Sequence, residues 1–168
     1  MSNTDIHVHI EVLMDGVWHH YANPSMGRSD IIFRLFAGLE TYSEKYPIDF
    51  KPVPAIIGLP DDLSPVTRLV YERDKLNTPD IHHEGVATKD DLVEMQRILN
   101  LAETTAKSDM QKFMLSKFGA SAMVNDALAR FNPSLDLEED VFHTYISVNT
   151  IHEHEGFDDV RVVFWFDS

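Results

Sequence analysis

The chain of 168 residues carries 28 acids against 14 Lys plus Arg, a formal net charge of −14, and no cysteine. This composition excludes disulfides, thiolate nucleophiles and cysteine-based zinc or iron–sulfur sites, and it disfavours direct nucleic-acid binding, which relies on clustered Lys and Arg. A hydrophobic content of 43% over this length suits one domain, residues 1–168, with its own core. No apolar run approaches the ~20 residues that span a bilayer, and residues 1–5 lack the features of a signal peptide, so no membrane association and a cytosolic location are expected.

In chain order, alternation comes first. Ile6, Val8, Ile10 and Val12 fall on one side and His7, His9 and Glu11 on the other, the period of a half-buried strand. Asp15-Gly16 suits a type I′ turn, and Val17-Trp18-His19-His20-Tyr21 returns as the second strand of a hairpin. A two-residue loop sets Glu11 against His20 and Leu13 against Trp18, so His7, His9, Glu11, Trp18 and His20 share a face. Imidazoles and a carboxylate at that spacing are an alternative metal set of His7, His9, Glu11 and His20. A solvated or helix-covered polar face is the simpler expectation, and no metal or cofactor is assigned. His152-Glu153-His154-Glu155 is read likewise as a solvated turn.

Next, Ser29 can cap a helix whose apolar stripe is Ile31, Ile32, Leu35, Phe36 and Leu39, with Arg28 before it either simply solvated or meeting an anion at the helix start. Prolines 47, 52 and 54 make residues 42–55 irregular. Ser64 then reads as an N-cap and Pro65 as the first residue of a helix with Val66, Leu69 and Val70 inward, broken by residues 75–79. The stretch from Asp80 through His82 and His83 reads as a loop between rigid elements, a common place for a binding site. Thr88 with Asp91 opens a further helix through a capping-box-like pair, and Leu92, Met95, Ile98, Leu99 and Ala102 recur on one face. Helices are expected near residues 108–117 and 121–130 and a strand near 141–148. The last strand places Val160, Val162, Phe164 and Phe166 on one side.

The predicted architecture is α+β: a small antiparallel sheet, made of the N-terminal hairpin plus C-terminal strands, with helices over one face and a central helical insertion at 100–140. Chemistry is narrowed mainly by absences. The chain has no Gly-x-x-x-x-Gly-Lys phosphate loop, no Gly-x-Gly-x-x-Gly, no Gly-x-Ser-x-Gly elbow and no paired His-x-Thr or His-x-Ser motif. A non-catalytic role is therefore expected over catalysis.

Five segments also occur in a characteristic order: Gly16-Val17-Trp18-His19, Phe33-Arg34-Leu35-Phe36-Ala37-Gly38, Gly58-Leu59-Pro60-Asp61-Asp62-Leu63-Ser64, Asp80-Ile81-His82 leading to Thr88-Lys89-Asp90-Asp91-Leu92, and Phe164-Trp165-Phe166-Asp167. In this the chain resembles a widespread family of small bacteriophage-encoded proteins, over its first ninety or so residues and its C-terminus. Residues 100–148 fall outside the resemblance. The family often has arginine where this chain has Glu40, and serines and a tryptophan where it has His83, Gly85 and Val86. The resemblance implies a protein of the bacterial host cytosol that blunts host defence by stoichiometric binding. The expected binding residues are Asp80, His82, His83, Thr88, Arg28, Trp18 and His20, and the expected partner is a small polar ligand, such as a nucleotide signal, or a host defence protein. Two alternatives stand beside it: an acidic inhibitor covering a basic, nucleic-acid-binding surface of a host factor, and a His/Asp-dependent hydrolase. Self-association is left open.

Overall fold

The structure, a computed structural model, describes residues 4–24, 30–40, 46, 48–78, 80–105 and 157–168. Strand β1 (Asp5–Met14) turns through Asp15 and Gly16, at φ of 51° and 76°, into β2 (Val17–Ala22). Both turn residues are left-handed, as a type I′ turn requires. The register follows from it: Glu11 faces His20 and Leu13 faces Trp18. Helix α1 (Asp30–Ala37) comes next, then a two-residue strand β3 (Ile56–Ile57), helix α2 (Pro65–Asn77), strand β4 (His82–Thr88), helix α3 (Lys89–Thr105) and strand β5 (Asp159–Asp167). They form one antiparallel sheet in the order β2-β1-β5-β4-β3, an α+β fold whose central strand is the C-terminal one.

One face of this sheet carries the main core. Ile6, Val8, Ile10 and Val12 of β1 and Val160, Val162, Phe164 and Phe166 of β5 lie under α1 and α3. Helix α1 is buried almost all round, Phe33 included, and its Asp30 receives a 2.8 Å bond from the Arg34 Nε, so the polar pair enters the core neutralised. Phe33 meets Phe166 and Phe36 meets Phe164 edge to face, at 5.1 and 4.8 Å. On α3, Leu92, Met95, Leu99 and Ala102 are buried as their spacing predicts. The helix start is a reciprocal pair: the Thr88 N–H donates to Asp91 Oδ2 at 2.9 Å and the Asp91 N–H to Thr88 Oγ1 at 3.2 Å.

Three expectations are corrected. Helices cover both faces of the sheet, because α2 packs on the side opposite α1 and α3, against Val86, Val163 and Trp165. The buried side of α2 is Thr67 and Tyr71, whereas Val66 and Leu69 point outward at 50% and 71% exposure; α2 also runs on to Asn77 before its end. The residues between His82 and Thr88 form a strand rather than a loop, because they pair with β5 on one side and β3 on the other. The helices expected at 108–117 and 121–130, the strand at 141–148, the His152 to Glu155 turn, the Ser29 cap and Arg28 lie outside the described residues. Among the described residues no helix is long and apolar enough to cross a membrane.

Candidate functional site

The polar face beneath α2 is built around Glu11, which alternation on β1 aims away from the main core. Its carboxylate is fully buried. Oε2 accepts from the Ser64 N–H at 2.9 Å and the Thr67 hydroxyl at 2.7 Å, both at the start of α2, and Oε1 accepts from Arg161 Nε at 2.9 Å. Burial alone would push the Glu11 carboxyl up, yet these hydrogen bonds hold it below its ordinary value. Arg161 also donates to Asp62 Oδ1 at 2.9 Å, and its guanidinium lies 4.0 Å from the centroid of the Trp18 ring. The Asp62-Leu63-Ser64 motif is thus the clamp that seats α2 on the sheet.

Beside this clamp His9 is sandwiched in the core. Its ring stacks on Trp165 at 4.8 Å, its Nδ1 lies 3.1 Å from His20 Nε2, and its Nε2 is buried with no partner among the described residues. Burial, with the nearby His20 and His7, lowers its pKa to about 4, so the ring is neutral at physiological pH. His20 is lowered too, chiefly by burial. His7, at the other end of the same face, meets Asp167 Oδ2 at 2.6 Å. The predicted set His7, His9, Glu11 and His20 does share a face, but Glu11 is already committed to three donors. Among the described residues, no three His, Asp or Glu side chains are disposed to hold a metal ion.

A different geometry surrounds His82 and His83. Between His82, opposite Phe166, and Gly85, opposite Phe164, β4 has one residue more than β5, and the bulge falls at His83 with φ of 55°. A non-glycine residue there costs roughly 1–2 kcal/mol, a strain found often at functional sites. Gly85 cannot be replaced without movement, since a Cβ would sit 2.6 Å from Phe164 Cζ. His82 stacks over Phe166, with its Nδ1 2.6 Å from His83 Nδ1 and its Nε2 2.8 Å from Ser168 Oγ. Burial and the neighbouring His83 lower the His82 pKa, against the charges of Glu84, Asp167 and Asp80. The His82–Ser168 contact has the reach of a base and a nucleophile, but the group behind His82 is a second imidazole where a triad has a carboxylate.

Next to the bulge opens a cavity of about 210 Å³. Phe36 and Ala37 at the end of α1, Pro52 and Pro54, the β3 isoleucines and Phe164 make its apolar wall, and His83 and Glu84 its polar edge. Helix α1 stops where the cavity begins because Gly38 turns left-handed at φ 69°, its N–H returning to the Arg34 carbonyl at 2.9 Å.

The structure therefore brings His83 to the cavity and holds its neighbour His82 against Phe166 and Ser168, with Asp80 exposed in the turn before β4 and acting on His82 through space. It does not bring Trp18, His20 or Thr88 there. Trp18 and His20 lie on the sheet's other face, bound to Arg161 and His9, and Thr88, six residues from His82 and so about 20 Å along the strand, serves as the α3 cap. Sequence reasoning missed Arg161, Asp62 and the cavity wall. Arg161 had a signal: it is the one charge inside the apolar run of β5. No family model, curated protein or solved structure matches this chain.

Proposed function

We propose that this chain is a non-catalytic binding protein, of the bacteriophage type its motif order resembles, which sequesters a small host signal in the cavity beside His83. The observation that carries the reading is the conjunction of a strained, exposed His83 with an apolar cavity of about 210 Å³. Pockets for drug-sized ligands span ~300–1,000 Å³, so this one suits a single ring or base held between Phe36, Pro52 and Phe164. His83 would hydrogen-bond its polar edge. Phosphates on such a ligand would point outward, since the chain's net charge of −14 opposes their burial.

The test is mass spectrometry of small molecules released on denaturing the protein purified from a bacterial lysate. A stoichiometric ring-bearing or nucleotide-type ligand is expected, lost from the His82→Ala/His83→Ala double variant without a change in its melting curve. The same net charge favours a second reading, an acidic inhibitor that covers a basic surface of a host factor. A ligand-free protein that instead forms a strongly salt-sensitive protein complex would replace the first reading by the second.

A further inference from the structure

His82 and His83 are tied together by a shared proton. Their Nδ1 atoms lie 2.6 Å apart, a hydrogen-bond distance at which one ring must donate and the other accept. On its far side His82 Nε2 is 2.8 Å from Ser168 Oγ, which in turn is 3.4 Å from Thr4 Oγ1, so the pair ends in two hydroxyls that can each donate or accept. When His83 supplies the shared proton, His82 is the neutral Nε2–H tautomer: its bare Nδ1 accepts from His83 and its Nε2–H donates to Ser168. A proton added to the pair then settles on His83. His82 is half-buried and stacked on Phe166, and burial together with the neighbouring ring opposes a charge there, whereas His83 is exposed at the edge of the cavity.

We infer that His83 meets its ligand as an imidazolium whose Nδ1–H is held by His82, and that the ligand is a single aromatic ring carrying an anionic oxygen, a carboxylate or its equivalent, on its outward edge. Resting on the binding reading above, this assigns the ring's substituent and makes His82 a positioning residue. The walls from α1, the prolines, β3 and β5 bring no charged side chain to the cavity. The acids around the pair are engaged or set back: Glu84 accepts from the Tyr71 hydroxyl at 3.4 Å, Asp167 meets His7 at 2.6 Å, and Asp80 sits in the turn before β4. Their charges favour a cation in the pair, and the exposed ring at the cavity is the one that carries it. An anionic edge on the ligand therefore completes a charge-assisted hydrogen bond that an unsubstituted ring lacks.

Titration of the full chain with benzoate and with toluene, followed by backbone and histidine side-chain nitrogen NMR at pH 8 and pH 6, tests this. Toluene reports on the cavity alone. Benzoate affinity should rise roughly fivefold or more from pH 8 to pH 6 while that of toluene stays constant, and the benzoate-bound state should carry protons on both nitrogens of His83 and on Nε2 alone of His82. In His83→Asn, whose side chain accepts a left-handed backbone but does not titrate, the rise should shrink to what the chain's changing net charge contributes. His82→Phe, which keeps a ring on Phe166 and removes the acceptor, should retain toluene and lose most of the rise. Toluene binding with benzoate indifferent to pH, or with the same rise in both variants, overturns this inference and leaves the cavity reading intact; a chain that binds neither probe overturns both.

Discussion

The two faces of the sheet are covered by helices held in opposite ways. On one, β1 and β5 offer continuous rows of aliphatic and aromatic side chains, and α1 and α3 answer with their own. On the other, α2 is held by the buried Glu11–Arg161 pair, the hydroxyls at its start and the rings of Tyr71, Trp165 and His9. Non-directional burial tolerates small shifts of a helix, whereas a buried carboxylate that accepts from both a helix start and a neighbouring strand sets one position. The apolar face thus supplies most of the folding free energy, and the polar face specifies where α2 sits and which side of it remains outside.

Substitutions on the two faces should separate these roles. Phe164→Ala, on the apolar face, should cost ~3–5 kcal/mol through lost transfer energy and the cavity left behind, read from the chemical denaturation midpoint. An unmoved midpoint would remove Phe164 from the core. Arg161→Ala should cost about as much by a different route, roughly 3–5 kcal/mol, because it leaves the Glu11 charge buried without its cation. Adding Glu11→Gln to it should recover part of that loss, a coupling of roughly 0.5–3 kcal/mol, whereas Phe164→Ala should be additive with Glu11→Gln.

Acid sharpens the same contrast. With a pKa lowered from 6.5 to about 4, His9 binds fewer protons in the folded state than in the unfolded chain throughout that interval. Stability is therefore full above pH 6.5 and falls as the pH drops towards 4, by about 3 kcal/mol for this group. The lowered Glu11 extends the fall in the same direction below the ordinary carboxylate range. Urea titrations from pH 7 to 4 measure it, and His9→Phe should flatten the upper part of the curve; a slope unchanged in that variant would assign the acid sensitivity elsewhere.

Two smaller effects concern β4. Thr88→Ala should cost ~1 kcal/mol by removing the α3 cap and leave ligand binding untouched, since its hydroxyl is engaged with Asp91. His83→Gly should leave stability unchanged or raise it by up to about 1 kcal/mol, because glycine accepts a φ of 55° without steric cost, while binding at the cavity is lost. Calorimetric stability and ligand retention, measured on the same preparations, distinguish the cap from the site.

What was legible in the sequence was local. Period-two alternation in β1 and β5 assigns Ile6 to Val12 and Val160 to Phe166 to their faces, since a strand has only two. Asp15-Gly16 determines the hairpin register because few residues accept two successive left-handed positions, and Ser64 and Thr88 mark helix starts because their hydroxyls satisfy amides within three residues. Tertiary structure alone decided the rest. The orientation of α2 reverses the expectation from Val66 and Leu69 because its anchors, Glu11 and Arg161, are 150 positions apart in the chain and meet only when β1 pairs with β5. The bulge at His83 hides β4 by breaking the alternation that would have announced a strand, and only pairing with β3 and β5 restores it. The cavity beside it has walls from α1, the proline segment, β3 and β5, so no single stretch of residues carries its pattern.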